Sequence, residues 1–205
     1  MTVTKQLSGR LTTKGLATRQ RIVQAAADLI YQHGVQGTNN ELLRKQTGIS
    51  GSQLSHYFPD KESLVHAVIA WQAETMMGLH QDPPRGELDS LDALRAWADS
   101  YTERDDVWCG GCTFGSLSSE VMKSDLDVHD EIVAGFDRWR QVFVRGLRVM
   151  RDRGELRSET DPERLASVLT AAFQGGMLLA QGARDTGPLR AALGGALDYV
   201  ATFTG

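Results

Sequence analysis

Apolar residues recur along this chain at helical spacing, and no segment sustains the period-two alternation of β-branched residues that a strand needs. Ile22, Ala26, Leu29, Ile30 and His33 form one stripe. Leu64, Val68, Trp71 or Gln72, Met76 and Leu79 form a second, and Leu91, Leu94, Trp97, Ala98 and Tyr101 a third. The most regular runs from Ile132 through Phe136, Trp139, Phe143 and Leu147 to Met150. Leu165, Leu169, Ala172, Gly176 and Leu179 complete the set. Proline inside a helix costs about 3 kcal/mol, so the five prolines test this map. None interrupts a stripe. Pro59 ends a short helix, Pro83 and Pro84 fall in a linker, and Pro162 after Asp161 reads as a cap followed by a first-turn proline. Pro188 after Gly187 reads the same way. The pattern predicts an all-α chain of about nine helices.

Short helices cluster before residue 60 and long ones follow it. That order predicts an arm over 1–14, a three-helix head over 15–60, and a helical body over 61–205 whose first helix, from 60 to about 81, connects the two. The chain shows no internal repeat and no low-complexity tract.

Composition changes the picture only when charge is split. The 205 residues are 41% hydrophobic and 23% charged, as in an ordinary soluble protein. The N-terminus lacks a signal-peptide core, and the apolar stretch 168–183 is broken by Gln174, Gly175, Gly176 and Gln181. The expectation is a cytoplasmic protein with no membrane partner. The net charge of −4 argues against nucleic acid at first sight. Residues 1–61, however, carry eight basic side chains (Lys5, Arg10, Lys14, Arg19, Arg21, Arg44, Lys45, Lys61) against Asp28, Glu41 and Asp60, a net of +5. The remainder holds 14 basic and 23 acidic residues, a net of −9. Nucleic acid would face the basic end.

That end contains GTNNELLRKQTGISGSQLSHYFPDKESL. Thr38 is expected to cap a helix reaching Thr47, Gly48 to supply positive φ at the turn, and Ser50 to cap a second short helix that Pro59 stops. Leu43, Ile49 and Leu54 are spaced to pack across the turn. This is a helix-turn-helix pattern, with its motif at about 39–58. TRQRIVQAAADLIYQHGVQGT followed by LLRKQTGISGSQLSHYFPDKESL resembles the N-terminal domain of TetR-family transcriptional regulators, over about residues 18–70. GCTFGSLSSE resembles a Gly-Cys-x-x-Gly-Ser-Leu segment found in one branch of that family.

The resemblance implies a homodimer, joined through its last two long helices, that binds double-stranded operator DNA and a small-molecule effector. It implies DNA contacts from Lys14, Thr38, Asn39, Ser50, Gly51, Ser52, Gln53, Ser55, His56, Tyr57 and Lys61. Gln53 would read a base, since its amide can bond both positions on adenine's edge. His56, Tyr57 and Lys61 would meet phosphates or the groove. Tyr57 and Phe58 also fit simple packing beneath the first helix, and Lys5, Arg10 and Lys14 fit either a solvated tail or a groove-reaching arm. This chain differs from the family's habit in carrying Gly51 where a lysine or arginine often stands, Ser55 where a tyrosine does, and Arg44 where a small residue does.

In the body, Trp97, Trp108, Phe114, Met122, Phe136, Trp139, Phe143, Phe173 and Met177 could be ordinary core. The family resemblance implies that several of them bound a cavity for a hydrophobic or aromatic ligand, with Glu103, Asp106, Glu120, Gln141 and Gln174 as candidate polar partners. Small residues in GGMLLAQGA and AALGGALDYV permit close helix approach, within one subunit or between two. WCGGC, at 108–112, resembles a thioredoxin dithiol, but a helix and a charged loop precede it where a strand should. No histidine lies near enough in sequence to complete a zinc site, so no metal or cofactor is expected. The motif reads as a structural turn entering a helix from 114 to 122, with a thiol sensor at Cys109 and Cys112 as the alternative. A ligand-released repressor is the leading function and a redox-responsive regulator the second. An all-α binding protein or enzyme comes third, because no nucleophile–base pair or phosphate loop supports catalysis.

Overall fold

In the computed structural model, residues 11–80, 86–104, 107–109 and 111–205 are described. Lys5, Arg10, Pro83, Pro84, Asp106 and Gly110 lie outside them. Among the described residues the apolar stripes become nine α-helices and no strand: α1 (Thr13–Gly37), α2 (Asn40–Thr47), α3 (Gly51–Tyr57), α4 (Lys61–Gly78), α5 (Leu91–Thr102), α6 (Thr113–Val121), α7 (His129–Asp152), α8 (Pro162–Ala183) and α9 (Gly187–Ala201). A one-turn 3-10 helix, Val107–Cys109, precedes α6. The chain divides into two compact units between Val68 and Ile69, a point that falls inside α4.

The head is built around α1. Ile22, Val23, Ala26 and Ile30 from α1, Leu43 from α2, Ile49 from the turn, Leu54 from α3, and Leu64, Val65 and Val68 from α4 are all buried. His33 faces solvent instead, so the α1 stripe stops one turn early. Gly34 breaks the helical path with φ of 73°. Thr38 therefore closes α1 rather than opening α2: it is buried, and its hydroxyl donates to the Gly34 carbonyl at 2.9 Å. Asn39 is the cap in its place, its Oδ1 accepting from the N–H groups of Glu41 and Leu42, both at 3.0 Å. Gly48 adopts the left-handed conformation expected of it (φ 71°, ψ 12°).

The body's core runs through α5, α7, α8 and α9, with Leu94, Trp97, Trp139, Phe143, Leu147, Leu165, Leu169, Phe173, Leu189, Leu193 and Val200 buried together. Each buried large apolar side chain contributes about 1.5–3 kcal/mol. Two glycines on α7 fix the packing of its neighbours. A side chain at Gly146 would strike the Leu88 carbonyl, and one at Gly135 would strike the Phe114 ring. Arg138 of α7 pairs with Glu74 of α4 at 2.7 Å, and its hydrogen bond holds the Glu74 carboxyl below its usual range. Arg140 and Arg148 of α7 both pair with Glu163 of α8.

Asp161 caps α8 with Pro162 as its first residue. At α9, Thr186 precedes the helix and Gly187 begins it, one residue earlier than the proline suggested. α8 is long and apolar enough to cross a membrane by length and composition, but its Leu165–Leu169–Phe173–Met177 row is buried in the core.

Candidate DNA-binding surface and ligand-binding body

α3 has only seven residues, and two devices hold it in place. Leu54 and Phe58 anchor it from below, and Phe58 lies buried under the Arg19 guanidinium at 5.0 Å. Above, Ser50 and Gln53 form a reciprocal capping box: Ser50 Oγ accepts from Gln53 N at 3.2 Å, and Gln53 Oε1 accepts from Ser50 N at 3.0 Å. These restraints leave Ser52, Gln53, Ser55 and His56 exposed on one short helix, with Tyr57 half-buried and its ring 5.2 Å from that of His56. Phe58 is thus core.

Among the other head residues, Lys14, Asn39, Ser50 and Lys61 are exposed. Thr38 is not, and its hydroxyl is already spent on Gly34. Lys61 is the first residue of α4. Beside it, Asp60 accepts from Ser63 N at 2.7 Å, and this backbone bond, with a weaker one from the Ser63 side chain, lowers its pKa.

Arg44 adds a residue that the sequence did not nominate. It is exposed in the last turn of α2, and its Cδ, Nε and NH1 lie 4.0 Å from where a Gly51 side chain would begin. The Arg44 side chain thus runs beside Gly51 at the start of α3, in ordinary contact distance of it. A cation therefore lies close to the position where the family often carries a lysine or arginine. The two departures from the family's habit are one arrangement in space. Their pairing, a missing cation beside an added one seven residues earlier, was the available signal.

In the body, the structure joins four of the expected pocket residues. Trp97 meets Phe143 edge-on at 4.9 Å between ring centres, Trp139 meets Phe173 at 5.0 Å, and Trp139 meets Phe143 at 5.8 Å. Tyr101 joins them, 4.8 Å from Phe173, as its place one turn after Trp97 allowed. Phe114 and Phe136 form a separate pair at 4.9 Å, Met177 is buried, and Trp108 is half-buried against the core. Met122 does not belong: it caps the C-terminal end of α6 and is 59% exposed.

His80 had no sequence signal, since it lies beyond the stripe of α4. It accepts from Trp139 Nε1 at 2.8 Å through Nε2. It also lines a groove of about 420 Å³ with Leu88, Val142, Arg145, Gly146 and Arg153.

The described residues of the WCGGC segment, Trp108, Cys109, Gly111 and Cys112, belong to a stretch that contacts α8. Cys112, rather than a residue after it, caps α6: its sulfur accepts from Gly115 N and from Gln174 Nε2, both at 3.3 Å. Side chains added at Gly111 and Gly115 would meet Gln181 and Gln174 respectively. Gly111 also takes a left-handed φ of 60°, which favours glycine there. Cys109 is exposed, and both thiols are free. No group of three or more metal-binding side chains occurs among the described residues.

Residues 22–68 match the family described as "Bacterial regulatory proteins, tetR family", and residues 87–195 match "Tetracyclin repressor-like, C-terminal domain". The chain is 23% identical over 184 residues to YxaF of Bacillus subtilis, an uncharacterized HTH-type transcriptional regulator, covering 87% of this chain and 92% of that one. A TetR regulator of known structure from Chloroflexus aurantiacus is 28% identical with a TM-score of 0.79, and one from Cytophaga hutchinsonii is 18% identical with a TM-score of 0.82. Each alignment covers 94% of this chain and 98% of the other. The second of the two family matches alone takes in more than half of the chain. With the helix-turn-helix head and the all-α body, it makes this chain a member of the TetR family of DNA-binding transcriptional regulators.

Proposed function

We propose that the protein is a cytoplasmic repressor that holds a palindromic operator as a homodimer and lets go when a small apolar ligand enters the body. The observation that carries the DNA half is the exposed row Ser52, Gln53, Ser55 and His56 on α3, flanked by Arg44 and Lys61. Ser52, Ser55, His56, Tyr57, Asn39 and Lys14 are suited to phosphates and groove edges, and the backbone at Ser50 and Gly51 to close approach. Gln53 reads a base. Because its Oε1 is held by Ser50 N, its amide N–H groups are the free ones, which suits a purine N7 acceptor. The boundaries follow from this division of labour: an arm to residue 14, a DNA-binding head to residue 60, and a ligand-binding and dimerising body beyond.

The dimer reading rests on α8 and α9. Leu178 and Leu179 are 70% and 63% exposed on α8, and Gly175, Gly194 and Gly195 have no neighbour within 4 Å of an added side chain. A two-fold pair would set its recognition helices about 34 Å apart, one DNA turn. Ligand among Trp97, Trp139, Phe143, Phe173 and Met177, with Trp108, Phe114 and Phe136 around them, would shift α4, whose first residue is Lys61.

A gel shift with DNA upstream of the protein's own gene tests the reading. Retarded DNA at nanomolar dimer, competed by itself and not by random duplex, is the expected result. No preference over random duplex overturns it. The redox alternative has one observation in its favour, the exposure of Cys109. Against it, the Cys112 sulfur is occupied as a helix cap.

A further inference from the structure

One aromatic cluster holds two buried indoles that are provided for differently. Trp139 Nε1 donates to His80 Nε2 at 2.8 Å. Trp97 is wholly buried among Phe143, Phe173 and Tyr101, and its Nε1 has no acceptor. Gln72 Oε1, on α4, is equally enclosed and has no donor. Gln72 stands one turn before Met76, which packs against the same cluster. Native interiors pair nearly all such atoms, because an enclosed polar group without a partner forfeits its bonds to water. One further orphan, Thr160 Oγ1, lies before α8, outside the cluster.

The cluster also restricts charge. No Asp, Glu, Lys or Arg is buried among the described residues. His80 accepts through Nε2, which requires that nitrogen to be unprotonated. An ion entering here would lose its hydration with no counter-charge to replace it.

Resting on the reading of the body as a ligand-binding domain, we propose that the ligand is a neutral planar molecule read through these two orphaned atoms. It offers one acceptor to Trp97 Nε1 and one N–H or O–H donor to Gln72 Oε1, while its ring stacks against the edges of Phe143, Phe173 and Tyr101. The groove at His80 borders the cluster through the His80 ring, which lies 6.4 Å from those of Trp139 and Phe143.

Four bicyclic probes test this in calorimetric titrations of the full-length protein: naphthalene, with no polar group; isocarbostyril, with a carbonyl and an N–H; its N-methyl derivative, with the carbonyl alone; and naphthoate, an anion. Isocarbostyril is expected to bind at least about tenfold tighter than naphthalene, the N-methyl derivative in between, and naphthoate worst. Trp97→Phe keeps the ring and loses the N–H. It should narrow the preference for isocarbostyril over naphthalene, measured as a ratio within the variant, to about threefold or less. Gln72→Met should erase the difference between isocarbostyril and its N-methyl derivative.

The indole proton resonances of the parent give a readout that needs no Trp97 variant. Of the four, the one unaffected by replacing Trp71, Trp108 or Trp139 in turn should move downfield with isocarbostyril and not with naphthalene. A preference that survives Trp97→Phe, an unmoved indole proton, or naphthoate binding as well as isocarbostyril overturns the proposal. Naphthalene bound without any preference sinks this inference alone. Binding of none of the four sinks the ligand-responsive reading with it.

Discussion

Two helix N-termini, α3 in the head and α6 in the body, solve the same problem by different routes. At α3 the cap is Ser50 and its partner Gln53, three residues apart, so everything needed lies within one turn of chain. At α6 the cap is a cysteine, and its second donor, Gln174, comes from a helix 62 residues later. The contrast extends through both units. Head side chains secure short helices locally and leave polar groups facing outward, where DNA would meet them. The body spends its large side chains inward on long-range packing, and two of its unmatched polar atoms, Trp97 Nε1 and Gln72 Oε1, are enclosed near that packing. The head's exposed surface is assembled from neighbours in sequence, and the body's aromatic interior from residues far apart.

The contrast breaks most visibly if a body core substitution damages the head. Phe143→Ala should cost about 3–5 kcal/mol in denaturant unfolding, since it empties the centre of the aromatic cluster. At temperatures where the variant stays folded, its operator affinity should remain within a few-fold of the parent. A large loss of affinity in fully folded protein would mean that the two units do not divide the work.

Changes on the head should do the reverse. Gln53→Ala should cost about 1–3 kcal/mol at one base pair per half-site and flatten discrimination there, as read by competition with operators mutated singly. Equal losses on operator and random DNA would remove Gln53 from base reading. Arg44→Ala and Lys61→Ala should each weaken binding to all sequences alike and lower the slope of log K against log salt by about 0.9 for each phosphate no longer neutralised. An unchanged slope for Arg44→Ala would show that its position across Gly51 serves only packing.

The α6 cap sharpens the comparison at smaller scale. Cys112→Ser keeps an acceptor at the cap and should leave thermal stability close to the parent, whereas Cys112→Ala should lose about 0.5–2 kcal/mol. With both Cys109 and Cys112 changed to serine, operator binding should be indifferent to mild oxidant. A parent that loses binding on oxidation and regains it with reductant would move the dithiol from structure to signal.

The smallest effect concerns Asp60. Its pKa is lowered in the fold by hydrogen bonds from Ser63, so its contribution is present above the ordinary carboxylate range and is lost as pH falls through the lowered value. The stability gap between parent and Asp60→Asn should therefore be full at neutral pH and should close in acid. A gap that persists at low pH would assign the effect to the cap geometry alone.

The all-α class, the helix-turn-helix and the anchoring of its short helices were legible in the chain, because those features depend on spacing and on residues within a turn of one another. Gly48 in the left-handed turn, Ser50 at the cap and Pro162 after Asp161 are all of this kind. Where the local reading slipped, at Thr38 and Asn39, the cause was the Gly34 break four residues upstream, which turned the Thr38 hydroxyl back onto α1. It took the packing of the helices to lay Arg44 over Gly51, to turn Met122 to solvent while Tyr101 joins the aromatic cluster, and to give one indole His80 and leave the other bare. The physical reason is reach: caps and turns close over three or four residues, whereas an indole's acceptor or a cysteine's second donor is set by which helices pack, and spacing along the chain carries no record of that.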